Sequence, residues 1–487
     1  MDPIEPPEPP PGPPELVHLA AVLTGLTRNE ALPEELAVRL LPHDLAPLRL
    51  ALRKGFAPSP ALCEEYLAHG ESQALAHNAA LPPEIATRLA ADPDPEVRAV
   101  RAKLESAGAG RHALFAADTE AQVRIALAGQ PDLSAESLAA LAADTDAGVR
   151  AALARRPELP EDLLRRLLTD TEPEVRARAC GHGAPPDLHA ALLADPATRK
   201  EVVRSLELDP ETASALAADP DEEVRAKLAA HPALPPRVRD ALARDTSPDV
   251  RGKVFARADT PPELRDEIHA WLTAGARRSE EDWENAEEDD VFCEITLVFL
   301  EMGSYPWVAA DPVPYVASPY TGLRRAAACS ERLPAELLRG MLEDEDPTVR
   351  MIALERTPDV DPATAEDIER RHERSKFLDR PADYFPFAPE TLRRFAADPD
   401  PRMRLLALRD PDVPAALLER LAADEDHTVR RAVAEDSRTA TGTLLRLLGD
   451  GSESVAMSAA ASPGLPVEAM RAVLDLAAPD AAGRGPA

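Results

Sequence analysis

Aromatic residues are scarce in this chain, 3% of 487 residues, although 44% are hydrophobic. A core built on large rings is thereby excluded, and Ala, Leu and Val must do the packing. Cysteine is scarce as well: Cys63, Cys180, Cys293 and Cys329 are the four present, and none forms a CxxC. That argues against a zinc ribbon, an iron–sulfur cluster or a disulfide framework. Positive charge is short, with 55 Lys plus Arg against 87 Asp plus Glu, for a formal net of −32. Such a chain repels phosphate backbones and anionic membranes, because binding either requires a basic surface. Phosphate-loop, dinucleotide, nucleophile-elbow and HExxH signatures are absent. No signal peptide opens the sequence and no long uninterrupted apolar run is evident, so a soluble cytoplasmic protein is expected.

What the chain has in excess is proline, 51 residues, or about twice the usual share. Its length suggests roughly three domains at about 150 residues each, but an internal repeat overrides that count. An Asp followed six residues later by Val-Arg recurs, with Arg at 98, 124, 150 and 176, a period of 26. The period resumes at Arg225 and Arg251, again at Arg324 and Arg350, and again at Arg404 and Arg430. Each unit reads as two short helices. Proline at the first helical position starts the first one, where its missing N–H costs nothing. An Asp-rich turn ends it, and the second Asp of Asp92-Pro-Asp94-Pro95 stands where an N-cap acceptor belongs. Helices this short do not survive alone, but stacked neighbours bury a continuous core.

The sequence therefore predicts an all-α solenoid of about fourteen short two-helix repeats with an elongated axis. Its terminal units, having one neighbour each, should be the most mobile. The predicted division is a Pro-rich disordered tail at 1–15, repeats at 16–270, an insertion at 271–318, repeats at 319–476 and a disordered tail at 477–487. An eroded repeat is expected around 359–394.

The Asp-Pro-Asp-Pro-x-Val-Arg-x-Ala segment resembles the second helix of HEAT repeats. The shorter period and the Leu-Pro-Pro-Glu opening resemble the leucine-rich-repeat variant family more closely. That resemblance implies a right-handed superhelix pairing an α-helix with a short 3₁₀ helix in each unit. Some members of the variant family carry a cysteine-ligated iron–sulfur cluster near the N-terminus. Here only Cys63 lies in the first 179 residues, so no cofactor is expected.

Two ladders of polar residues run through the repeats. The nine Asp/Arg pairs from Asp92–Arg98 to Asp424–Arg430 cannot converge on one centre, so they read as turn braces, not as catalytic or metal-binding groups. The second ladder lies six residues after each anchor: Asn78, Gln130, Arg156, His182, His231, Arg257, Ser330, Arg356, Asp410, Asp436 and Ser462. It is always polar but varies in identity. Either the position records partner contacts along one edge, or it only needs to be hydrated.

The 271–318 stretch holds all three tryptophans, Trp271, Trp283 and Trp307, behind an acidic run. It is read either as a binding element, because aromatics are favoured interface anchors, or as a plug replacing a lost repeat. The functional expectation is a non-catalytic scaffold binding a protein or peptide through a concave groove, the insertion, or both. Candidate partner contacts are Asn78, Gln130, Arg156, His182, His231, Arg257, Arg356, Trp283 and Trp307; no catalytic, cofactor or metal residue is assigned. One alternative is an enzyme using acidic residues of the insertion with Cys293 or His269. Another is a HEAT-like nucleic-acid binder, which the net charge disfavours.

Overall fold

Proline sets the rhythm of the computed structural model, which describes residues 16–44, 46–104, 111–281, 288–372 and 380–477. The tail expected at 1–15 lies outside the described residues, as does Trp283; of the tail expected at 477–487 only Ala477 is described, and it ends helix Val467–Ala477. Helices Pro83–Ala90, Pro95–Leu104, Pro173–Cys180, Pro210–Ala217, Pro248–Phe255 and Pro347–Arg356 all begin on proline. Aspartate precedes many of them as an N-cap: Asp146, Asp209, Asp221, Asp346, Asp400 and Asp426 each accept a bond from a backbone N–H of the first turn. No strand occurs among the described residues.

The second helix of most units is α, as in Pro95–Leu104, Ala147–Leu153 and Glu222–Ala229. This differs from the α-plus-3₁₀ pairing that the family resemblance implies. The Ala- and Val-rich segments contain no internal breaker, so the i to i−4 bonding continues to the end. Short 3₁₀ turns finish only some units, at Val203–Ser205 and Ala407–Arg409.

The chain divides into two compact units, one comprising residues 1–138 and 387–487 and the other 139–386. Within the first, both ends of the sequence share a core. Val22, Leu26 and Leu36 pack in the same cluster as Val455, Ala459, Met470 and Leu474. Second helices stack on second helices along the repeats: Pro95–Leu104 on Ala121–Ala128, and His427–Glu435 on Glu453–Ala461. Leu19–Arg28 takes that same position against Glu453–Ala461, while Val467–Ala477 stands beside it as a first helix. The repeat is thus composite, with its first helix from the C-terminal end and its second from the N-terminal end.

Contact there is close. A Cβ on Gly25 would collide with the Met457 carbonyl oxygen and lie 2.7 Å from Ala460 Cβ. Buried Asn29 donates to the carbonyls of Ala460 (2.9 Å) and Ser462 (2.7 Å). The Arg39–Asp475 ion pair (2.8 Å) and the Arg471–Glu35 pair (3.3 Å) flank the joint. The free terminal units expected from the sequence are not formed, because each end supplies the neighbour that the other would otherwise lack.

In the second unit the insertion becomes two long helices, Pro262–Glu281 and Glu288–Met302. Helix Glu288–Met302 packs between Pro248–Phe255 and Thr321–Cys329, where a repeat's second helix belongs. Glycine makes room on both sides. A Cβ on Gly252 would meet Thr296 Cγ2 at 2.6 Å, and one on Gly322 would collide with the Leu300 carbonyl. Residues 291–310 are long and apolar enough to cross a membrane by length and composition, with mean hydropathy 1.2. The helix nevertheless breaks at 303–305, and Cys293, Thr296 and Leu300 bury one face in the repeats.

Candidate partner-binding surfaces

The Asp/Arg ladder is a chain of staples. Arg150 Nη1 donates to the carbonyls of Asp144 (2.8 Å) and Thr145 (3.3 Å) in its own loop. Its Nε and Nη2 reach 20 residues ahead to both carboxylate oxygens of Asp170, at 2.7 and 2.9 Å. Asp170 in turn accepts the Glu172 N–H at 2.9 Å. The same fork joins Arg98 to Asp118, Arg225 to Asp245, Arg324 to Asp344, Arg404 to Asp424 and Arg430 to Asp450. The paired guanidinium holds the Asp118, Asp170 and Asp450 carboxyls below their ordinary range. These carboxylates are thus occupied in bracing the turns.

Among the described residues the ladder breaks after Arg251 and after Arg350. Trp271 stands 20 residues after Arg251, where the next Asp should be, and the Arg251 guanidinium stacks on its ring at 3.7 Å. A cation–π contact replaces the ion pair. Arg370 stands 20 residues after Arg350, and Arg350 Nε is left buried without a hydrogen bond. That second break falls in the stretch expected to be an eroded repeat, of which residues 373–379 lie outside the described residues.

The second ladder turns inward. Asn78 is buried and donates to the carbonyls of Ala51 and Phe56, both at 2.9 Å. Gln130 donates to Ala102 O (2.8 Å). Arg257 donates to Ala229 O (2.9 Å) and His231 O (2.6 Å). Arg356 reaches the carbonyls of Ala328 and Ser330, and Ser330 Oγ donates to Ala309 O (2.6 Å). His231 pairs with Leu206 O (3.2 Å), and burial lowers its pKa.

The shared requirement is a donor that ties each repeat to carbonyls of the one before. Asn29 serves the same role across the composite repeat. At Asp436 another side chain substitutes: Arg438, held by Asp436, donates to the carbonyls of Asp410 and Pro411, whereas Asp410 is itself buried and accepts from Arg393 (2.6 Å). Neither hydration nor a partner is needed to account for the ladder at these positions. Arg156 is half-buried, and among the described candidates His182 alone is exposed. Its neighbour Cys180 faces the core, with its thiol pushed up to about 12 by burial.

Trp307 is also held inside. Its Nε1 donates to Ala256 O at 3.0 Å, Arg265 stacks on its ring at 4.5 Å, and Tyr305 and Tyr315 meet it edge-on. His269 packs against Phe255 and Tyr320, and burial lowers its pKa. Cys293 lies in the apolar cluster with Ile268 and Leu272. Among the described residues, no group of three His, Cys, Asp or Glu side chains could hold a metal.

What the insertion does expose is apolar. Phe292, Ile295, Val298, Phe299 and Met302 share one face of helix Glu288–Met302 and are 41–71% exposed. At the end of that face a groove of about 530 Å³ is lined by Met302, Tyr305, Pro306, Ala326, Cys329 and Ile352. The expected contacts of this stretch were tryptophans, and the stripe was not among them. Its signal was present in the spacing 292, 295, 299, 302, which is one helical face.

The repeat geometry has a counterpart among known families. Residues 147–172 match the family described as leucine rich repeat variant. The matched stretch is one repeat of the array. Residues 147–172 contain helix Ala147–Leu153, Arg150 and its partner Asp170, so the match spans the ion pair of one staple. A solved structure described as "a leucine-rich repeat variant with a novel repetitive protein structural motif" is 27% identical, with a TM-score of 0.30. The match covers 41% of this chain and 84% of that one. No curated protein matches.

Proposed function

We propose that this leucine-rich repeat variant protein is a non-catalytic scaffold that binds a protein partner. Its contact surface is the insertion, not either ladder. The observation that carries this reading is the exposed apolar face of helix Glu288–Met302, set against ladder residues already bonded within the chain. Contiguous exposed apolar patches on folded proteins mark interaction sites more often than isolated side chains do. Affinity capture from native lysate on the purified full chain tests the proposal. A discrete protein retained in stoichiometric amount supports it; nothing retained at any salt concentration refutes it.

A further inference from the structure

We infer that the exposed face of helix Glu288–Met302 docks a basic, amphipathic helix of a partner protein; this rests on the scaffold reading above. The buried face carries Cys293, Thr296 and Leu300. The opposite face carries Phe292, Ile295, Phe299 and Met302, at the i, i+3, i+7 and i+10 spacing that a helical ligand reads along one side. Phe299 and Met302 are 68% and 71% exposed. The groove lined by Met302, Tyr305 and Ile352 opens at the end of this stripe and can take an anchoring side chain.

Charge selects the occupant. Glu294 and Glu301 are exposed beside the stripe, and the helix sequence, EDDVFCEITLVFLEM, contains no Lys or Arg. The cation lining the groove, Arg325, is bound to Asp346 (3.3 Å), to Thr348 Oγ1 (2.6 Å) and to the Glu301 carbonyl (3.1 Å). A second copy of this chain would set carboxylates against carboxylates, a juxtaposition that disfavours pairing. Helices that lie on membranes carry Lys and Arg on their polar face, and this one carries none. An apolar stripe edged by carboxylates complements a helix edged by Lys and Arg.

The probe is a fluorescein-labelled Leu/Lys amphipathic helix, with a Leu/Glu helix of the same apolar face as control, followed by anisotropy on the full chain. The Leu/Lys peptide should bind and the Leu/Glu peptide should not. The charge-neutral pair Phe292→Ser with Phe299→Ser should weaken binding at least about tenfold, and Glu294→Gln with Glu301→Gln should weaken it and flatten its salt dependence. Both pairs alter exposed side chains, and an unchanged circular dichroism spectrum confirms that they fold.

Equal binding by wild type and the Phe pair would overturn the inference, since it would mean general attraction to an acidic protein. So would binding of the Leu/Glu peptide, or no binding of either peptide. Self-association in sedimentation that the Phe pair abolishes would assign the face to a second copy. Flotation with phosphatidylserine vesicles that the same pair abolishes would assign it to a bilayer. Lysate capture separates the two levels: a partner retained equally by the Phe pair leaves the scaffold reading standing and removes this face from it.

Discussion

Arg150 offers a test of the staple in which the magnitude follows from the structure. One guanidinium makes four bonds, two to Asp170 and two to carbonyls of its own loop. The side chains are only 13% and 8% exposed. Arg150→Met leaves the Asp170 carboxylate without its partner in a poorly hydrated joint, and breaking such a pair costs about 3–5 kcal/mol. Arg150→Lys keeps the charge but loses the fork, so it should cost about 1–3 kcal/mol through the carbonyls left unpaired. Asp170→Asn also loses the pair, while its amide oxygen can still accept the Glu172 N–H. The double variant Arg150→Met/Asp170→Asn should therefore be less destabilised than the sum, with a coupling of roughly 2 kcal/mol. Urea unfolding followed by circular dichroism measures the four variants against the wild type. Single-variant costs that add to within about 0.5 kcal/mol would refute the staple.

Three further outcomes follow. Asp118, Asp170 and Asp450 have folded pKa values below the unfolded ones, so their contribution is complete above the ordinary carboxylate range and is lost as pH falls through the folded values; stability against urea should drop steeply below about pH 4, and a flat profile there would contradict the pairing. His231 and His269 are lowered instead, so the unfolded chain takes up their protons first and a shallow loss should begin below about pH 6.5; His231→Asn should lessen that slope in the same titration, and an unchanged slope would contradict the burial of His231. Cys329 is exposed while Cys63, Cys180 and Cys293 are buried, with the Cys63 thiol pushed up to about 11; a colorimetric thiol reagent should label one cysteine in the native protein, and two or more reacting rapidly would contradict the packing.

The repeats were legible because punctuation by Pro and Asp is local. Pro95 and Asp94 announce a helix start whatever surrounds them. The Asp/Arg braces were legible too, since a feature repeated every 26 residues cannot be a single catalytic centre. The second ladder was harder to read. Asn78, Gln130, Arg257, Ser330 and Arg356 differ in shape but share a donor, and the carbonyls they serve belong to the preceding repeat. Varied identity therefore marked a tolerant joint. Trp307 looked like an anchor for a partner and is an anchor for Ala256 and Arg265. The joint between the chain ends was not legible at all. Asn29 and Ser462 lie 433 residues apart, and no period states that the last repeat meets the first.

That joint is the claim most exposed to a single measurement, the unfolding free energy of Gly25→Ala beside that of Gly442→Ala. Alanine is the better helix former by about 1 kcal/mol, so in a frayed terminal helix Gly25→Ala would stabilise. In the joint its Cβ would collide with the Met457 carbonyl, a backbone atom that no rotamer change can move. A Cβ on Gly442 meets nothing within 4 Å. The account predicts a loss of about 1–3 kcal/mol for Gly25→Ala, with Gly442→Ala neutral or stabilising. If Gly25→Ala stabilises the protein as Gly442→Ala does, the two ends of the chain do not share a core.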